Sequence, residues 1–197
     1  MTKQYDRDYF QRWYRGGDIG GPRRLARKVA LAVACAEYYL ERPIRSVLDI
    51  GCGEGAWRAP LLKLRPQARY LGFDSSEFAI RRHGPRRNLH FARFGDFAHL
   101  RPCAPVDLLV CSDVLHYLPT RELQRGLPGL AEICGGVAFL ELFTAQDDFE
   151  GDHEGFMPRK ARWYRDRFAA VGLSSVGSHC WLSPALAGDA AALEGAD

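Results

Sequence analysis

Apolar residues along this chain recur at two periods, and the two alternate. Leu25, Val29, Ala32, Val33, Ala36 and Leu40 stand three or four residues apart. That step puts them on one face and predicts a helix over residues 23–40, stopped by Pro43. The next apolar positions come in short runs: residues 47–50, 70–74, 89–94, 106–111 and 137–143. Short apolar runs of this kind read as strands covered on both sides. Between them the helical step returns. Trp57, Leu61, Leu62 and Leu64 predict a helix in which Pro60 fits only the first turn. Ser75 or Ser76 caps a short helix that Gly84-Pro85 ends. Leu123, Leu127, Leu130 and Ile133 predict another, with Thr120 as its cap, a kink at Gly126, Pro128 and Gly129, and an end at Gly135-Gly136. Pro158 opens a last helix that buries Tyr164, Phe168 and Val171 and stops at Gly172. Residues 173–182 then make one strand or two short ones. Strands alternating with helices predict an α/β fold: a doubly wound, mostly parallel sheet with helices on both faces.

The ends of the chain read differently. Tyr5, Tyr9, Phe10, Trp13 and Tyr14 crowd into one stretch, and the pairs Tyr9-Trp13 and Phe10-Tyr14 have helical spacing. A hinge follows at Gly16-Gly17-Asp18-Ile19-Gly20-Gly21-Pro22. An aromatic helix on a glycine hinge reads either as a lid over a ligand or as a helix packed permanently on the sheet edge. The expected organisation is a helical lid and hinge over residues 1–22, a ligand-binding domain over 23–184 and a helical or frayed tail over 185–197.

The first strand runs directly into glycines: Val47-Leu48-Asp49-Ile50-Gly51-Cys52-Gly53-Glu54-Gly55. Glycines there let the backbone turn tightly and approach a ligand, and the following helix is expected to aim its free N–H groups into the crevice. The stretch fits two readings. As Gly51-x-Gly53-x-x-Ala56 it passes a loose dinucleotide fingerprint. Asp49 opposes that reading, because a buried acid beside a pyrophosphate is repelled at short range. The same acid suits a ligand carrying an amino group and a sulfonium. Asp74 ends the second strand about 20 residues past the turn, where an acid accepts hydrogen bonds from ribose hydroxyls.

These residues resemble the class I (Rossmann-like) S-adenosylmethionine (SAM)-dependent methyltransferases, of the small stand-alone type. Leu48-Asp49-Ile50-Gly51-Cys52-Gly53-Glu54-Gly55 is similar to their first motif, Gly95-Asp96-Phe97 to their third, and Ser112-Asp113-Val114-Leu115-His116-Tyr117-Leu118 to their fourth. The resemblance implies a cofactor site made of Asp49, Gly51, Cys52, Gly53, Asp74, Ser75, Asp96, Phe97, Cys111 and Ser112, with Tyr14 and Arg15 reaching it from the N-terminal segment. In it Asp96 accepts from the adenine amino group, the Phe97 backbone and ring fix the base, and the carbonyls near Cys111 and Ser112 hold the methionine amino group. It also implies a sheet that finishes in an antiparallel hairpin.

The implied reaction is methyl transfer from SAM, leaving S-adenosylhomocysteine (SAH), to an oxygen or nitrogen of a small molecule. The turn after strand four is not the Asn/Asp-Pro-Pro-aromatic turn of methyltransferases acting on base amino groups, and Glu141-Leu142 is not the Asp-Asn pair of metal-dependent catechol enzymes. No metal is expected. His116 is a candidate general base because imidazole titrates near neutrality; the plain reading is a packed or turn-capping histidine. Glu141 is a second candidate, otherwise an acid hydrogen-bonding in the crevice. Trp163 and Tyr164 line an acceptor pocket or are simply core. Two rivals remain: an NAD-dependent oxidoreductase, against which Asp49 and the lack of a Tyr-x-x-x-Lys speak, and a SAM-binding module without turnover.

Composition adds limits. A chain of 197 residues makes one domain with additions. No 18-residue apolar run marks a membrane span, and residues 1–6 lack the apolar core of a secretory signal. Six cysteines without a Cys-x-x-Cys pair suggest reduced thiols and a cytoplasmic location. The net charge is only +3, and the basic groups Arg23, Arg24, Arg27, Lys28 and Arg81, Arg82, Arg86, Arg87 read as solvated faces, which disfavours a nucleic-acid partner. The acidic stretch over residues 144–157 reads as a substrate wall, with a metal cluster as the sharper and disfavoured alternative.

Overall fold

A computed structural model describes residues 21–149 and 152–194. The aromatic segment with Tyr14 and Arg15 lies outside them. Helix α1 (Pro22–Leu40) leads into strand β1 (Ser46–Ile50), helix α2 (Arg58–Leu64), strand β2 (Arg69–Asp74), helix α3 (Glu77–Arg87) and strand β3 (Leu89–Phe91). Strand β4 (Val106–Ser112), helix α4 (Thr120–Ile133), strand β5 (Cys134–Glu141) and helix α5 (Ala161–Ala169) follow, then strands β6 (Ser174–Ser175) and β7 (Cys180–Leu182). They form one sheet in the order β3-β2-β1-β4-β5-β7-β6. The pairs from β3 through β5 are parallel; β7 runs antiparallel to both β5 and β6. Residues 173–182 therefore make two short strands, and the sheet ends in the hairpin that the resemblance implies.

The unbroken apolar runs follow from coverage on both faces. Val47, Leu108, Val110, Val137 and Phe139 pack with Val29, Ala32, Val33 and Ala36 of α1 and Leu61 of α2. Their alternates Leu48, Ile50, Leu109, Cys111, Ala138 and Leu140 pack with Leu123, Leu127 and Leu130 of α4 and Tyr164 and Phe168 of α5. With side chains alternating at period two, each strand feeds both layers, so neither face shows a polar stripe. Among the described residues no helix is long and apolar enough to cross a membrane.

Several element ends differ from the local pattern. Helix α3 continues through Gly84-Pro85 and stops at Asn88, whose left-handed φ of 58° caps it. Pro85 removes one hydrogen bond, the one its N–H would make to the Arg81 carbonyl, in the last turns of the helix. Ser76, not Ser75, caps its start by accepting from the Ala79 amide at 3.1 Å. Strand β3 is short because the chain enters a 3-10 turn at Phe94–Ala98, where Asp96 accepts from the Arg93 amide at 2.9 Å. Strand β5 takes in Gly135-Gly136 rather than starting after them. Pro158 lies before α5, which begins only at Ala161. Thr120 opens α4 after a Pro119 cap, and its hydroxyl instead accepts from the Arg159 guanidinium at 3.0 Å. The described part of the tail holds two 3-10 turns, Ala187–Asp189 and Ala192–Glu194.

The glycines of α4 have a tertiary reason. The helix runs on past Gly126, Pro128 and Gly129, and a Cβ on Gly129 would stand 1.7 Å from the Phe97 carbonyl oxygen. Only a bare backbone lets α4 lie this close to the 3-10 turn that follows β3. Gly129→Ala is expected to destabilise the fold by about 3 kcal/mol, while Gly188→Ala, whose Cβ meets nothing within 4 Å, changes it by less than about 0.5 kcal/mol. Urea unfolding measures both, and equal midpoints would show that the close approach does not exist.

Candidate active site

The site grows from the turn after β1. Gly51, Gly53 and Gly55 all have left-handed φ, at 75°, 52° and 76°. Each such step would cost an L-residue about 1–2 kcal/mol, so glycine is the local solution. The turn is tied to the end of β2: the Gly51 and Cys52 amides both donate to the Phe73 carbonyl, at 2.7 and 3.0 Å. The Gly53 amide donates to Asp74 Oδ2 at 2.7 Å, and the Ser76 amide to Asp74 Oδ1, also at 2.7 Å. On the other side Val114 covers Gly51, where a Cβ would come within 2.3 Å of its Cγ2. Strand order reverses between β1 and β4, so the turn borders the crevice where open α/β sheets bind ligands. Helix α2 begins beyond the turn, at Arg58; the expectation of a helix end aimed from the glycines is replaced by a run of turn residues.

Asp49 is 2% exposed, and the Tyr70 hydroxyl donates to its Oδ2 at 2.5 Å. Burial pushes its pKa up to about 7, the Tyr70 bond pulls it down, and the Asp74 charge adds to the rise. Burial also raises the Asp74 carboxyl, against the amides of Ser76, Gly53 and Ser75, which stabilise its charge. The thiols of Cys52 and Cys111 are held up by burial and by the charges of Asp49 and Asp74. These four groups thus share one electrostatic neighbourhood at the ends of β1, β2 and β4. Ser75 is exposed beside it.

Asp96 is exposed in the 3-10 turn after β3, with the Arg125 guanidinium 3.6 Å away. The Phe97 ring sits elsewhere than a base-stacking role needs. It has no exposed surface and packs edge-on against Phe73 inside the core.

At the ends of β4 and β5, Ser112 and Glu141 face each other in register. The Ser112 hydroxyl and the Lys28 ammonium of α1 both donate to Glu141 Oε2 at 2.5 Å. Burial raises the Glu141 carboxyl, but the Lys28 and Ser112 bonds outweigh it and hold its pKa below the usual carboxylate range. A carboxylate held this way is a weak base and a firm anchor. Lys28 belongs to the cluster read as solvated from sequence, and no local signal distinguishes it, since 113 residues separate the pair.

His116 is wholly buried. Its Nδ1 accepts from the Phe143 amide at 3.2 Å, and its Nε2 lies 3.3 Å from Asp113 Oδ1. Tyr117, Phe143, Phe149 and Phe156 ring the imidazole. Phe149 stacks on Phe143 with centroids 4.4 Å apart, so the segment after β5 folds back over His116. Two acids of that segment hold turns: Asp147 accepts from the Thr144 amide and hydroxyl, and Asp152 from the Glu154 amide. Among the described residues no group of three His, Cys, Asp or Glu side chains is placed to hold a metal. Tyr164 is core, and Trp163 lies under the Arg159 and Arg167 guanidinium groups.

Residues 48–135 match the methyltransferase domain family. A trans-aconitate 2-methyltransferase of Azoarcus sp. (strain BH72) is 30% identical over 156 residues, 76% of this chain and 58% of that protein. The chain thus spans little more than half the length of this curated relative. Two solved structures share the fold. The sugar N-methyltransferase KedS8 from Streptoalloteichus sp. superposes with a TM-score of 0.67 at 17% identity, covering 88% of this chain and 86% of that one. SAM-bound CalS10, an amino pentose methyltransferase from Micromonospora echinaspora, superposes at 0.65 and 15% identity, covering 92% and 98%.

The Asp49 environment makes a stability prediction. Its folded pKa of about 7 lies above the unfolded value near 3.8, so the folded state holds the extra proton between them. The contribution of this group is complete below the unfolded value and is lost as pH rises through about 7. Asp49→Asn removes the titration. Its melting temperature is expected to exceed that of the wild type by several degrees at pH 8, at about 2–4 °C per kcal/mol, with a smaller gap at pH 5. A gap that does not change with pH would contradict the buried, protonated carboxyl.

Proposed function

The chain carries a class I SAM-dependent methyltransferase domain, and on that premise we propose that it transfers a methyl group from SAM to an oxygen or nitrogen of a small-molecule acceptor. The observation that carries this reading is the left-handed glycine turn after β1, tied through the Gly53 amide to Asp74 and covered by Val114 at the reversal of strand order. A bare backbone with an acid on each side suits a nucleoside whose other end is cationic. When bound, SAM supplies a methyl already activated on a sulfonium.

In this reading Asp74 takes the ribose hydroxyls on the carboxylate edges left by its backbone amides. Asp49 lies near the cationic amino end, and proximity to that charge favours its ionised form. The carbonyls around Cys111 and Ser112 take the amino group, and Asp96 the adenine edge. Gly51, Cys52, Gly53 and Ser75 supply the backbone wall; Phe97 contributes through its main chain. Glu141, fixed by Lys28, shapes the end of β5. Positioning then supplies most of the acceleration.

Residues 1–22 act as a lid. Support comes from α1: Lys28, early in the helix, reaches Glu141 at the crevice end of β5, so α1 begins on the crevice side. The relatives named above methylate trans-aconitate or sugars by their names, which supports a small-molecule acceptor. The oxidoreductase alternative is disfavoured by Asp49, which stands two residues before the first turn glycine, where a pyrophosphate would pass. A cytoplasmic location is supported by six cysteines in the free form.

Thermal unfolding with SAM, SAH and NADH in separate samples tests the reading. Ligand at about 100 times its dissociation constant adds roughly 2.7 kcal/mol, so SAM and SAH are expected to raise the melting temperature by several degrees and NADH not at all. A shift with NADH alone reverses the assignment. Asp74→Asn is expected to weaken SAM binding about 10- to 100-fold by calorimetry, the worth of a hydrogen bond to a charged group. SAH formation in a screen of acceptors separates an enzyme from a binding module.

A further inference from the structure

Among the described residues the crevice carboxylates placed so far each accept a hydrogen bond. Asp49 accepts from Tyr70, Asp74 from the amides of Gly53, Ser75 and Ser76, Glu141 from Lys28 and Ser112, and Asp96 from the Arg93 amide. Among the described residues the Asp113 carboxylate meets His116 alone, at 3.3 Å and without a hydrogen bond, and its side chain is 45% exposed.

Its backbone is unusual as well. Asp113 has φ 64°, a left-handed conformation that non-glycine residues seldom take and that clusters at functional sites. The conformation is held by the Asp113 amide, which donates to the Glu141 carbonyl at 2.9 Å, and by the 3-10 turn that follows at Leu115–Tyr117. The next residue, Val114, covers Gly51. Asp113 therefore stands at the mouth of the crevice, one residue from the wall of the cofactor turn.

His116 supplies an independent observation. Because Nδ1 accepts the Phe143 amide, the ring proton of the neutral imidazole is on Nε2. That buried Nε2 has no hydrogen-bond partner: Asp113 is close but out of line. A buried donor left so costs about 1–3 kcal/mol, and a small swing of the Asp113 carboxylate satisfies it. The aromatic ring of Tyr117, Phe143, Phe149 and Phe156 keeps water from doing so.

We propose that Asp113 is the catalytic residue that accepts the proton of the methyl acceptor, and that His116 is a positioning residue that fixes its carboxylate from the buried side. The inference rests on the methyltransferase reading and narrows the acceptor to a hydroxyl or an amine. In the step, a lone pair of the acceptor oxygen or nitrogen bonds to the methyl carbon, the carbon–sulfur pair returns to sulfur, and the acceptor proton passes to Asp113. An acceptor that is already a carboxylate has no such proton and is repelled by Asp113. The acceptor chemistry thus differs from that of a carboxylic acid such as trans-aconitate.

Sinefungin, a SAM analogue that carries an amine where SAM carries the methyl, is the probe. Its ammonium group stands in the place of the transferring methyl, next to the acceptor site that Asp113 serves. Calorimetry with wild-type protein is expected to show sinefungin binding about tenfold tighter than SAH, the range of one charge-assisted hydrogen bond. Asp113→Asn, which tolerates the left-handed backbone, is expected to abolish that preference and leave SAH affinity within about twofold. His116→Gln is expected to reduce the preference while SAH affinity holds; a merely structural role would lower both together. Trans-aconitate is expected to raise SAH formation no higher than in its absence. No SAH or SAM binding by the wild type would sink the methyltransferase reading itself. SAH binding with no sinefungin preference, a preference kept in Asp113→Asn, or methylation of trans-aconitate would overturn the Asp113 assignment alone.

Discussion

The site depends on one backbone constraint: two successive amides, of Gly51 and Cys52, donate to the single carbonyl of Phe73. To do so the chain must leave β1 and turn at once in the left-handed region. This welds the end of β1 to the end of β2 and brings Asp74 under the Gly53 amide. It also leaves a bare backbone over which Val114 can close from β4. The crevice at the reversal of strand order is therefore the outcome of one turn pinned on both sides.

Around that turn the molecule buries more carboxylates than a core usually tolerates, and it compensates each differently. Burying an unpaired charge costs several kcal/mol, so each acid needs an answer. Asp49 answers with a pKa that burial pushes up to about 7, and with Tyr70 as donor. Asp74 answers with backbone amides, which cannot move away. Glu141 answers with an ion pair from a different layer of the fold, which ties α1 to the ends of β4 and β5. The same region also buries a histidine whose second nitrogen is left waiting. Such concentration of polar groups in an otherwise apolar sheet is the physical mark of a site.

The long segment after β5 is organised on the same economy of polar groups. Asp147 and Asp152 accept from nearby backbone amides and hold turns, while Phe149 and Phe156 lie against His116. Arg159 closes it: its guanidinium donates to the Leu118 carbonyl at 2.6 Å and to Thr120, and lies 5.0 Å above the Trp163 ring. The described parts of this stretch thus pack against His116 and α5.

By itself the amino-acid order determined the alternation of strands and helices, the glycine turn, the acids at the ends of β1 and β2, and the kind of ligand they suit. These are local facts: side-chain period and backbone freedom act over a few residues, and the chain writes them where they act. Tertiary structure alone decided the rest. Lys28 looks like its solvated neighbours until α1 brings it across 113 residues to Glu141. Gly126 and Gly129 look like helix breakers until α4 meets the turn after β3. Residues 173–182 resolve into a hairpin only because β5 offers β7 an antiparallel edge. His116 and Phe97 look available in the sequence, and the fold buries both. Whether a polar or aromatic side chain meets solvent depends on what distant chain covers it, and no short-range pattern carries that information.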